Sequence, residues 1–228
     1  MRTKVITLAS LLFVMVFVGG CGKGSDSYYP LDEGRTWEYQ FSASSMLGPG
    51  GTQKIVITNL PDRELAGKKV TPQKVDVGGV STFSFILEDA NGICEYASQE
   101  RGAPEPEIKP NPSYILRNPV KAGTTWQEQT RTHILQENVP FTLTSTIEGT
   151  DETITVPAGT FKSCVKVKGS GNAQKKLGIL GDAQITVEQY TWFAPGVGMI
   201  KFMQKESSNH MMVGSGEIAF QLESFKKQ

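Results

Sequence analysis

An all-β, mainly antiparallel fold is what this 228-residue sequence predicts. Apolar residues recur with a period of two along many short runs, as strands with one covered face require. Turn signals such as Asn91-Gly92 and Pro195-Gly196 separate those runs. The octet PLDEGRTW, Pro30 to Trp37, also returns as PVKAGTTW, Pro119 to Trp126. The expected architecture is two tandem repeats forming a curved sheet, half-barrel or sandwich.

The elements follow in order. Thr36 to Phe41, TWEYQF, puts Trp37, Tyr39 and Phe41 on one face. Lys54 to Thr58 is β-branched, Lys69 to Val77 alternates, and Thr82 to Leu87, TFSFIL, continues the pattern. Asn91-Gly92 is a hairpin signal because both residues tolerate positive φ. Ile93 to Ala97 leads out of it. Residues 98–113 hold four prolines without an apolar period, which predicts a linker or long exposed loop. A second series covers Trp126 to Ile134, Phe141 to Ile147, Thr153 to Val156, Phe161 to Lys168 and Ala183 to Phe193. Ala194-Pro195-Gly196 suits a type II turn, and Met199 to Lys205 and Glu217 to Phe225 close the series. The expected division is 1–20 signal, 21–27 tether, 28–97 first repeat, 98–113 linker and 114–228 second repeat. The two repeats are expected to share one globular unit.

The N-terminus sets location. Arg2 and Lys4 precede an apolar run, Val5 to Val18, of signal length and too short to span a bilayer comfortably. The run ends in Val18-Gly19-Gly20-Cys21, which resembles a bacterial lipobox. That resemblance implies removal of residues 1–20 and lipidation of Cys21, palmitate included. A multi-chain anchor gives stable membrane attachment. Gly22, in place of aspartate, points to the outer membrane. The mature chain would carry 21 basic and 23 acidic residues, so no basic footprint suggests nucleic acid. An exported compartment also admits a Cys94–Cys164 disulfide, although both cysteines sit in strand-like runs where a free thiol packs well.

Each octet residue has a structural use. Pro30 and Pro119 fix φ, Gly34 and Gly123 allow tight entry into a strand, and Trp37 and Trp126 anchor a core. Asp32 and Glu33 become Lys121 and Ala122 in the second copy, which argues against a paired catalytic use. The two histidines, His133 and His210, accompany no nucleophile motif, and no spacing typical of metal ligands is present. Met203, His210, Met211 and Met212 could be grouped as soft-metal ligands, but one falls in a strand pattern and the others beside a polar loop. No catalytic residue, cofactor or metal is expected.

YYPLDEGRTWEYQF, TVPAGTFKSCVKVK and YTWFAPGVGMIKF together resemble a group of bacterial lipoproteins and exported proteins similar to the TapB and DUF3108-like families. The resemblance implies a strongly curved antiparallel sheet related to the open half-barrels of carriers such as LolA, and brings no catalytic residues with it. The expected function is a non-enzymatic, lipid-anchored envelope lipoprotein that binds a lipid or other hydrophobic ligand. The alternative is a protein–protein or surface-assembly module. Phe41, Phe83, Phe85, Phe161, Tyr190 and Trp192 are the candidates for an apolar ligand face.

Overall fold

The computed structural model describes residues 27–45, 48–132 and 138–227. Cys21 with its lipobox, and His133, lie outside the described residues. The chain forms β1 (Thr36–Ser45), β2 (Gly48–Asn59), β3 (Arg63–Leu65), β4 (Lys68–Val77), β5 (Val80–Asp89), β6 (Gly92–Gln99) and β7 (Glu107–Arg117). The second series is β8 (Thr125–Arg131), β9 (Pro140–Val156), β10 (Gly159–Lys176), β11 (Asp182–Ala194), β12 (Gly198–Ser208) and β13 (Ser215–Lys226). One 3₁₀ turn, Gly178–Leu180, caps the β10–β11 connection.

All pairing is antiparallel, and neighbours in sequence are neighbours in space. The order is β7-β6-β5-β4-β2-β1-β13-β12-β11-β10-β9-β8, with β3 added beside β4. Two six-stranded meanders therefore join where β1 pairs with β13. Curvature brings the free edges, β7 and β8, back together, and the Trp126 indole N–H donates to the Tyr114 carbonyl at 3.0 Å. The result is a nearly closed barrel whose ring of strands has one seam, between β7 and β8.

The two octets enter β1 and β8 in the same way. Gly34 N–H donates to Asn59 O and Asn59 N–H to Arg35 O; Gly123 N–H donates to Ile147 O and Ile147 N–H to Thr124 O. The Thr36 hydroxyl donates to Gly34 O at 3.2 Å, and Thr125 does the same to Gly123 O at 3.3 Å. Both glycines have φ in the left-handed region, 73° and 88°, where a side chain is strained.

Two expectations need correction. The proline-rich stretch 98–113 is not a linker: residues 107–113 belong to β7, which pairs with β6. Proline is compatible with this place because β7 is an edge. The Cys94–Cys164 bridge is not made, and both thiols are free and buried. They sit on β6 and β10, which are not neighbours in the sheet. Each S–H donates to a nearby carbonyl, Leu87 O for Cys94 and Phe161 O for Cys164. Burial pushes the Cys94 thiol up to about 11 and raises Cys164 as well, so both behave as packed hydrophobes.

Apolar packing lies on both sides of the wall. At the octet end, Trp37, Tyr39 and Ile55 share a cluster with Ile200 and Leu222, and Trp126, Ile147, Val167 and Phe193 form another. At the opposite end Phe141, Leu143, Ile185 and Val187 pack together. The long β9–β10 hairpin bends where its register shifts between Phe161 and Cys164, with Ser163 at φ 53°. Its tip carries Ile154, Val156 and Phe161 onto Trp192 and Ile200, and Ala158 N–H donates to Leu222 O. Leu65 of β3 joins Val70, Phe85 and Ala97 in a smaller cluster.

Candidate functional site

Strand alternation and curvature together create a lumen. Trp37 and Tyr39 of β1, Ile57 of β2 and Gln73 of β4 line a cavity of about 220 Å³, floored by Ile115 and Met199. The entry segment before β1 crosses this end of the barrel. Tyr29 contributes to the cavity and its phenol donates to Gln73 Oε1 at 2.9 Å; Gln73 in turn donates to Asn59 Oδ1 at 2.9 Å, and Asn59 to Asp32 O at 3.0 Å. Burial raises the Tyr29 and Tyr39 phenols above their ordinary value, so both stay neutral donors at physiological pH. Tyr39 donates to Met199 O at 2.8 Å, and the Trp37 indole to Val197 O at 2.6 Å. The buried guanidinium of Arg35 donates to Gly196 O at 2.7 Å and pairs with Asp32 at 2.8 Å. The first octet is thereby latched to the β11–β12 turn across the barrel mouth.

A second cavity, about 210 Å³, shares Ile115 and Met199 with the first. Its wall is more polar: Glu95, Ser113, Glu128, Ser145, Gln189 and Thr191 all reach it. Glu95 accepts from Ser84 at 2.9 Å and is paired with Lys109. The Glu128 carboxyl is raised above its usual range, chiefly by burial and secondarily by the Glu95 charge, against the opposing effects of Lys109 and a Ser113 hydrogen bond. Further along the same face of β12, Gln204 donates to the fully buried Glu206 at 2.8 Å. The lumen thus carries a polar belt between two apolar ends, richer in carboxylates than in cations.

The linings also decide which face of each strand is inward. Gln189, Thr191 and Phe193 line the lumen, so Tyr190 and Trp192 point outward by alternation. There they stack on each other, with ring centroids 6.0 Å apart, beside Lys166 and Lys201. Gln73 is inward and pairs with Ser84, which turns Phe83 and Phe85 outward. Phe85 is buried there with Leu65, under the Arg63 guanidinium. Phe161 lies on the β9–β10 flap against Phe225. Of the six expected aromatic ligand residues, Phe41 shares the inward parity of Trp37 and Tyr39; its ring is tilted against Phe220, which meets Phe202 of the cavity wall edge-on. Phe83, Phe85, Tyr190 and Trp192 lie on the outer face: alternation distinguishes two faces without saying which is concave, and both are covered here.

Sequence reasoning missed the polar belt. A usable signal existed at Glu128: in TWQEQTR it takes the same parity as buried Trp126, where an apolar residue is expected. The described residues hold no cluster of three metal-ligating side chains. His210 Nδ1 accepts the Met212 N–H at 3.3 Å, in the β12–β13 tip. The most exposed large apolar residues, Ile179, Leu180, Met211 and Met212, gather on the two hairpin tips at the end away from the octets.

Residues 137–215 match the DUF3108-like family model. The DUF3108-like segment covers β9 to β12, and supplies Ser145, Gln189, Thr191 and Phe202 to the polar cavity. Among solved structures, an inferred exported protein with a YmcC-like fold from Bacteroides fragilis is similar at 14% identity and TM-score 0.42, over 90% of this chain and 100% of that one. An inferred lipoprotein from Parabacteroides distasonis is similar at 14% identity and TM-score 0.41, over 88% and 99%. No curated protein matches the sequence.

Proposed function

We propose that this protein is an exported, Cys21-anchored envelope lipoprotein whose barrel lumen binds a small amphiphile without chemical conversion. The observation that carries this reading is the pair of adjoining cavities. One is walled by Trp37, Tyr39, Ile57 and Met199; the other offers Glu128, Ser113, Ser145 and Thr191. An apolar body in the first and a hydrogen-bonding head in the second would satisfy both, as ligand sites with an apolar wall and few polar groups do. The size and charge refine the class. Taken together, the two cavities fall at the low end of the roughly 300–1,000 Å³ of sites for drug-sized ligands, which disfavours a diacyl lipid. A belt richer in carboxylates disfavours an anionic head. A neutral or cationic amphiphile fits best. The luminal acids are engaged by Lys109, Ser84 and Ser113, which supports a binding role over a catalytic one.

The test is native mass spectrometry of the protein released gently from membranes, with Ile57→Trp as the filled-lumen comparison. A small co-purifying mass that Ile57→Trp abolishes supports the reading. A bare wild-type mass, with an apolar fluorescent probe bound equally by both forms, overturns it. Metabolic palmitate labelling lost in Cys21→Ala, with outer-membrane fractionation, tests the anchor. The matching octet bonds support a further reading, that the two meanders are copies of one ancestral unit. The exposed tips at Ile179 and Met211 favour the second functional reading, an assembly module; intact-cell crosslinking from those tips would recover a defined partner.

A further inference from the structure

We propose that the seam between β7 and β8 is the portal through which a ligand reaches the lumen; this rests on the luminal-binding reading above. All other neighbouring strands around the ring are joined by backbone ladders. At the seam the described residues make two side-chain hydrogen bonds, the Trp126 indole on Tyr114 O and Ser113 with Glu128, the Lys109 charge faces Glu128, and Tyr114, Ile115 and Leu116 share an apolar cluster with Trp126. The sequence of β7 explains the weakness. Pro110 and Pro112 have no N–H to give a partner, and the β6–β7 register itself shifts between Glu95 and Ala97. A regular ladder from this strand to β8 is therefore disfavoured.

The polar cavity lies directly behind that line. Ser113, Tyr114 and Ile115 of β7 and Trp126 and Glu128 of β8 are both its wall and the seam's edges. The octet end is a poorer route, because the entry segment is tied over it. Gly196 N–H donates to Ser27 O, Arg35 holds Gly196 O, and Tyr29 holds Gln73. Separating any other strand pair breaks a run of backbone bonds, whereas parting the seam breaks side-chain bonds and the apolar contact of Leu116 with Trp126 but no backbone ladder. A ligand entering there meets Glu128 and Ser113 first and the apolar cavity beyond Ile115 second.

The experiment needs no ligand, so it is readable even if luminal binding fails. Thr191, buried on the cavity wall, is changed to cysteine in the full chain. Labelling by a small water-soluble methanethiosulfonate is followed at position 191 by peptide mass spectrometry, with buried Cys164 as the internal reporter of global opening. Trp126→Phe and Ser113→Ala each remove one seam bond. Each is expected to speed labelling at 191 about fivefold, the factor by which one lost net hydrogen bond raises an open fraction, while labelling of Cys164 stays unchanged. Unchanged labelling at 191 overturns the proposal. So does a parallel rise at Cys164, or a rise at 191 produced by Trp37→Phe, which loosens the octet end, and by neither seam variant.

Discussion

The repeated tryptophans are alike in sequence and unlike in surroundings, so the same substitution should have different costs. Trp37 is 4% exposed, and its indole N–H reaches Val197 O at 2.6 Å in a buried turn. Trp37→Phe leaves that carbonyl without a donor where water has little access, a penalty of about 1–3 kcal/mol. It also enlarges a cavity that Trp37 already lines, which adds to the loss. Together these amount to about 2–4 kcal/mol, or roughly 5–15 °C in Tm for a chain of this size. Trp126 donates instead to Tyr114 O on the unpaired edge of half-buried β7, where water can replace the lost donor. Trp126 is 5% exposed and lines the polar cavity, so the enlargement is common to both copies and the donor loss alone separates them; Trp126→Phe should cost about 1–2.5 kcal/mol. Differential scanning calorimetry of both variants decides the matter. Equal shifts, or a larger one for Trp126→Phe, would refute the reasoning that the latch to the β11–β12 turn distinguishes the copies.

Other perturbations have equally definite outcomes. Glu128 has a folded pKa above its unfolded value, so its favourable contribution is full below the unfolded carboxylate pKa, about 4.3. That contribution is lost as pH rises through the raised folded value. Glu128→Gln should then show a flatter urea-midpoint profile than wild type from acid to neutral pH; identical profiles would count against a half-buried, raised carboxyl. Because Cys94 and Cys164 are free, reductant should leave Tm unchanged, and both thiols should react with Ellman's reagent only on denaturation. A Tm drop of several degrees in reductant would reveal a bridge. Ile179→Ser with Met211→Ser removes two side chains that are 103% and 87% exposed, so stability should stay within about 0.5 kcal/mol. A larger loss would mean that the tips pack on something in the folded state.

The strands were legible because their signal is local. TFSFIL, KIVIT and AQITVEQYTWF state their period within a few residues, and all fall inside observed strands. The segment EIKPNPS was less legible because its prolines carry opposite messages. They argue against a central strand, yet tolerate an edge one, and only the closure of the ring shows that two edges remain to be filled. Nothing local distinguished a linker from the last strand of the first meander.

The site was illegible for a different reason. Inside and outside are properties of curvature, and curvature depends on how thirteen strands are arranged. Phe85 is nearly wholly buried at 1% exposure, yet it lies outside the wall because β3 folds over it. Trp192 is outside because the β9–β10 flap covers it. An aromatic stripe therefore identified covered surface and not concave surface. The charged residues that break the apolar parity are more informative. Burying a carboxylate costs free energy unless neighbours compensate, so Glu128 beside Trp126, and Glu206 beside Gln204, mark places where the fold encloses something polar. On that argument the polar breaks in a barrel strand, and not its aromatics, are the positions at which to test for the head group of the proposed ligand.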